Sequence, residues 1–164
     1  MRHTRHRTRA LMGGILALSI TLGGCSMTPA SDTPLADYQV ETEQLAQSLF
    51  QMIPETEIDS RSGVESDSAL ATDGYNEWPK YWRWHGDVYL RPASELAPSE
   101  AAETIGEALI EDGWEQSPSA LSRDTRTVTD YRRDGWFLSV EAQLQAPPKA
   151  QAVRLTVISP ATDH

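Results

Sequence analysis

His85 and Asp87 stand two residues apart in "YWRWHGDVYLR", residues 81–91, and are the pair best spaced for acid–base chemistry. Alternate residues of a strand share a face, so an aspartate at i+2 can orient an imidazole. The same spacing is ordinary on a half-exposed strand, whose outward side chains are polar. That second reading is preferred for His85 and Asp87. The wider segment "YNEWPKYWRWHGDVY", residues 75–89, adds Trp78, Tyr81, Trp82, Trp84 and Tyr89. Aromatic faces stack on sugar rings, grip peptides or anchor partner proteins at low entropic cost. Trp82 and Trp84 share the parity expected to pack inward. Trp78 precedes a proline where a loop joins the strand, and Tyr81 has the opposite parity. Trp78, Tyr81, Arg83 and His85 therefore form the candidate set for binding a ligand or partner.

Other chemistry finds no support in the sequence. There is no G-x-S-x-G elbow and no S-x-x-K. His164, the last residue, is expected to be disordered, which leaves His85 as the usable imidazole after the basic N-terminal segment. No H-x-x-x-H, cysteine pair or EF-hand loop occurs. Glu57, Asp59, Glu65, Asp67 and Asp73 make residues 55–77 acidic, and a solvated loop explains them better than a calcium site with fixed ligand spacing. No catalytic residue, metal or cofactor is assigned.

The single cysteine poses a different question. Arg2, Arg5, Arg7 and Arg9 precede residues 11–24, "LMGGILALSITLGG", which carry no charge. A basic start and a short apolar run form the pattern of a secretory signal peptide. The run falls short of the roughly 20 residues of a spanning helix. It ends Leu22-Gly23-Gly24-Cys25, an aliphatic residue and two small ones before a thiol. This resembles the lipobox of bacterial lipoproteins. The resemblance covers about the first 26 residues. It implies that Cys25 receives a diacylglyceryl group and that the chain is cut just before it. Two acyl chains give a stable anchor where one is marginal. A free cysteine after a signal cut elsewhere is the competing reading. The resemblance places the protein on the outer face of the cell membrane. The lipobox, the tether that follows and the overall layout together resemble small actinobacterial lipoproteins of unknown function, and abundant Ala and Arg accord with a GC-rich genome.

From Cys25 onward ten basic residues face 24 acids, a net charge of −14. Such a chain is soluble and repelled by nucleic acid and by anionic headgroups. Its length suits one domain. The expected organisation is a signal peptide over 1–24, a lipidated cysteine and flexible Ser/Thr/Pro/Asp-rich tether over 25–37, and a single domain over 38–160.

The elements that must position the candidate residues follow from periodicity. Residues 38–53 place Tyr38, Leu45, Leu49 and Met52 or Ile53 on one helical face, and Pro54 ends it. Residues 55–77 read as a long loop. Residues 81–91 alternate as a strand with Trp82, Trp84, Val88 and Leu90 inward. Pro98 opens a second helix at N1, with Ala102, Ile105, Ala108 and Leu109 as its apolar stripe and Gly113 just beyond its end. A short strand over 114–121 interrupted by Pro118, two strands over 125–132 and 136–145 around an Asp134-Gly135 turn, and a last strand over 151–158 after Pro147-Pro148 complete the chain. The fold expected is α+β, a two-layer sandwich with a mainly antiparallel sheet of four to five strands and two helices on one face. The function expected is a membrane-tethered, non-enzymatic binding or interaction module, with an envelope glycan, peptide or protein as partner. A cell-envelope hydrolase using His85 and an acid, or an accessory subunit of a membrane complex, are the alternatives.

Overall fold

A computed structural model of the protein describes residues 30–71, 77–117, 121–123, 125–145 and 151–164. Cys25, the signal segment, Gly74, Pro118 and Pro147-Pro148 lie outside them. The fold is α+β, with two helices on one face of an antiparallel sheet. Among the described residues the strands are β1 (Ile58–Leu70), β2 (Lys80–Leu90), β3 (Glu115–Gln116), β4 (Leu121–Arg123), β5 (Arg126–Arg133), β6 (Trp136–Gln143) and β7 (Ala152–Ile158). Their order across the sheet is β1-β2-β7-β6-β5-β3, with β4 also paired to β5. The last strand therefore inserts beside β2 and ties the two halves of the chain together.

Helix α1 (Leu35–Phe50) buries Tyr38, Thr42, Ala46, Leu49 and Phe50. The expected stripe is shifted by about one residue. Ala46 occupies the centre and Leu45 its margin, because a small residue lets the helix approach the sheet. Ile53 is buried in the turn that follows and Met52 is exposed, so the core takes the isoleucine. Helix α2 (Pro98–Glu111) begins at the proline as expected, and Glu100 Oε2 accepts a hydrogen bond from the Ala97 backbone N–H. Its buried face is Pro98, Ala101, Ile105, Gly106 and Leu109, with Ala101 in place of Ala102. Past its end, the Trp114 N–H reaches back to the Leu109 carbonyl and seats the indole in the core. Leu138, Val140, Val153, Leu155 and Val157 supply the sheet's side of that core.

Three expectations are corrected. Residues 58–70 form an edge strand rather than a loop. Their ladder to β2 runs from Ile58↔Leu90 to Leu70↔Lys80, while Ile58 alone among them is buried. Backbone hydrogen bonds hold this strand without an apolar face. It also carries a bulge between Ser62 and Glu65, with Gly63 at φ +67°, and charged side chains, both of which protect an exposed edge. Secondly, the segment expected to be a flexible tether is structured from Ser31 onward. The Ser31 N–H donates to the Ala161 carbonyl and the Leu35 N–H to the His164 carbonyl, at 2.8 Å each, and α1 starts inside the segment read as tether. Thirdly, the backbone of His164 is held, since its N–H donates to Thr162 Oγ1 and its carbonyl meets Leu35. The domain thus spans beyond both of its expected limits.

The Asp134-Gly135 hairpin is present, with φ +47° and +85° at its two central residues and Arg133 opposite Trp136. Positive φ at both positions is the type I′ geometry that matches strand twist. Gly135→Val should lower stability by about 1–2 kcal/mol through left-handed strain at a β-branched residue. A urea melt will show this, and an unchanged midpoint would mean the turn tolerates side chains freely.

Candidate functional site

Strand parity turns Tyr81, Arg83 and His85 away from the helices, and the sheet register decides what each meets. One row across the sheet reads Asp67, Arg83, Ile158, Phe137, and the next reads Glu65, His85, Thr156, Ser139, Asp130. A third holds Asp87, Arg154 and Glu141. The side chains of paired residues stand side by side on one face; the first two rows are partly exposed, whereas Asp87 and Glu141 of the third are buried.

Within it the polar groups are fixed. Arg83 donates from Nε and Nη2 to the two oxygens of Asp67, at 3.1 and 2.9 Å. This fork-to-carboxylate geometry holds one guanidinium orientation. Asp67, first by its hydrogen bonds and then by its charge, raises the Arg83 pKa above its ordinary value. His85 Nδ1 lies 3.0 Å from Thr156 Oγ1, so its Nε2 edge stays available. Tyr81 is half-buried and lies opposite Ala69, a small neighbour.

Asp87 departs from the expectation of a solvated strand face. It is only 5 % exposed, and both its oxygens are taken by Arg154, at 2.7 Å from Nε and 3.3 Å from Nη2. Gly63 of the bulge closes over it, since a Cβ there would stand 2.9 Å from Oδ2. The Asp87 hydrogen bonds are the chief reason that the Arg154 pKa is raised. The dyad suggested by the i, i+2 spacing is thus not formed: His85 meets a threonine and Asp87 meets an arginine.

Trp78 lies before β2, outside its alternation. It is half-buried, follows residue 77 at the start of β2 and forms a cis peptide bond with Pro79. Lys80 Nζ lies 4.8 Å from its ring centroid. Lys80 shares its parity with Trp82 and Trp84, which face α1. Trp84 is buried against Phe50, whereas Trp82 is half-buried and donates from Nε1 to Ser66 Oγ at 2.7 Å. The structure therefore sets Tyr81, Arg83 and His85 on one strand face, while Trp78 precedes the strand and meets Lys80.

Sequence reasoning missed the groups that fix this surface. Asp67 lay in the segment read as a loop, and Thr156 and Arg154 lie 71 and 67 residues from their partners. It also missed a notch of ≈ 300 Å³ where α1 meets the β1 bulge, lined by Phe50, Trp84, Val64, Arg61 and Asp87 among others. Among the described residues no group of three or more His, Cys, Asp or Glu could hold a metal ion, and no helix is long and apolar enough to cross a membrane. No protein-family model matches the chain, and no curated protein matches it.

Proposed function

We propose that this chain is a lipid-anchored module, held outside the cytoplasmic membrane through Cys25, that binds a peptide or protein partner across its helix-free sheet face. The observation that carries the reading is the shared strand face of Tyr81, Arg83 and His85, alternate residues of β2. An aromatic ring, a fixed guanidinium and a free imidazole edge are presented side by side on a broad sheet. Broad surfaces with aromatic and arginine anchors suit protein partners, while small ligands are usually enclosed. Asp67 and Thr156 hold two of the three groups before any partner arrives, which lowers the entropic cost of binding. The lipobox pattern and the signal-like start support the anchor and the outer location.

Two measurements test it. Cys25→Ser should move the protein from the membrane pellet to the soluble fraction or leave it unprocessed. A variant that fractionates and migrates like the parent would remove the anchor from the proposal. For the binding face, a photo-crosslinking amino acid at position 81 should give a discrete adduct in cells, and Arg83→Glu should strongly reduce it. The same amino acid at Ile110, an exposed residue of α2, should give none. Equal labelling at positions 81 and 110, or an adduct indifferent to Arg83, would count against the sheet face.

A further inference from the structure

We infer that the corner formed by Leu70, Trp78 and Lys80 rests in the headgroup layer of the membrane that carries the anchor. This rests on the proposed acylation of Cys25 and adds a second, non-covalent contact with the same membrane. Position is the first argument. Lys80 pairs with Leu70 on one side and with Thr162 on the other, and Thr162 bridges to Ser31. Ser31, Thr162, Lys80 and Leu70 thus lie side by side, three strand steps that cover about 14 Å at ~4.8 Å each. The tether therefore joins the domain at this corner.

Reach is the second argument. Six residues lead from Cys25 to Ser31. Fully extended they span at most roughly 22 Å at ~3.6 Å per residue. A lipid on Cys25 keeps Ser31 within that distance of the bilayer surface, and Leu70, three strand steps further, within roughly 36 Å. A surface held so close meets the corner at high effective concentration, and a contact too weak to form in dilute solution becomes populated.

Composition is the third. Leu70 is 44 % exposed; Val64, the other exposed large apolar residue of β1, lies six residues away beside the bulge. Trp78 presents part of its indole, and Lys80 Nζ lies over the ring. An amphipathic indole and a long-stemmed ammonium are the side chains that settle at a membrane–water interface, the ring among the headgroups and the ammonium beside phosphate. Glu77, Asp32 and Asp163 flank the corner, and the chain from Cys25 is strongly acidic. Electrostatics therefore oppose anionic lipid, and the contact is made with zwitterionic headgroups through apolar depth.

The test uses the lipidated protein purified from a producing bacterium and placed in phosphatidylcholine vesicles brominated near the top of the acyl chains. Its tryptophan emission should be quenched. Trp78→Phe should remove most of that quenching and Leu70→Ser should reduce it, with circular dichroism confirming an unchanged fold. Adding phosphatidylserine should not increase it. The mass of the N-terminal peptide reports separately whether Cys25 carries a diacylglyceryl group. A lipidated protein without Trp78-dependent quenching overturns the corner contact and leaves the anchor standing. A chain with no lipid on Cys25 overturns both. Protection of Trp78 from oxidation in native membranes, without quenching in pure lipid vesicles, would make the occupant a protein and would equally overturn the proposal.

Discussion

Arg154→Met should destabilise the domain by about 3 kcal/mol, the cost of leaving a carboxylate buried without its partner. Asp87 is 5 % exposed and spends both oxygens on this one guanidinium. The second buried acid of the face, Glu141, pairs in register with Arg154 and also contributes to its raised pKa, after Asp87. Removing the guanidinium would therefore leave two carboxylates facing each other across β7. Glu141 keeps its own partner, Arg126, so the main loss falls on Asp87. The double variant Asp87→Leu, Arg154→Met should recover most of the stability, because it removes the buried charge as well as its partner. Urea melts of the three variants decide the matter. If Arg154→Met and the double variant melt together near the parent, Asp87 is solvated in solution and the packing of Gly63 over it is loose.

Gly86→Ala is expected to cost about 2 kcal/mol by overpacking, well above any gain from restricting a glycine in the unfolded chain. The Trp84 ring lies across Gly86, so that a Cβ there would stand 2.6, 3.0 and 3.2 Å from its Cη2, Cζ2 and Cζ3 atoms. These are atoms of the ring body, and the ring cannot retreat easily. Phe50 of α1 packs against the ring in an edge-on arrangement, with centroids 5.6 Å apart. The methyl would force the indole out of its seat and disturb its contact with Phe50 of α1. Trp84→Phe combined with Gly86→Ala should cost less than the sum of the two single changes, since the smaller ring accommodates the methyl. Near-ultraviolet circular dichroism follows the indole directly, and an unperturbed spectrum together with an unchanged melt would refute the close packing.

Much of the frame is legible in the residues themselves. The alternation from Tyr81 to Leu90 gives β2 its inward and outward faces, the Asp134-Gly135 pair gives the hairpin, and Pro98 gives the start of α2. Each is a local signal with a local cause. Strand β1 carries no such signal. Its serines and acids resemble a loop because nothing in them needs to be buried, and the ladder to β2 is made by backbone atoms that every sequence shares. The parity that sets Tyr81, Arg83 and His85 on one face is also local, and was legible. Their partners were not. Whether His85 meets Asp87 or Thr156 depends on which strand lies beside β2, and β7 takes that place from the far end of the chain. Sequence spacing places Asp87 on the His85 face but is silent about Arg154, whose charge draws the carboxylate away.

The clasp between the two ends of the domain has a mechanical consequence. Any pull on the residues before Ser31 arrives first at the Ser31 N–H bond to Ala161 and at the Thr162 hydroxyl, which stands 2.9 Å from the Ser31 carbonyl and 2.6 Å from that of Thr33. Thr162 is itself ladder-bonded in both directions to Lys80, at 2.7 and 2.9 Å. Such a load is therefore shared by several bonds and passed sideways into β2 and the sheet, while the first turn of α1 is shielded from being unwound. The segment Ala161–His164 works as a strain relief, like the collar where a cable meets its housing. Trimming it would leave α1 to take the tug alone.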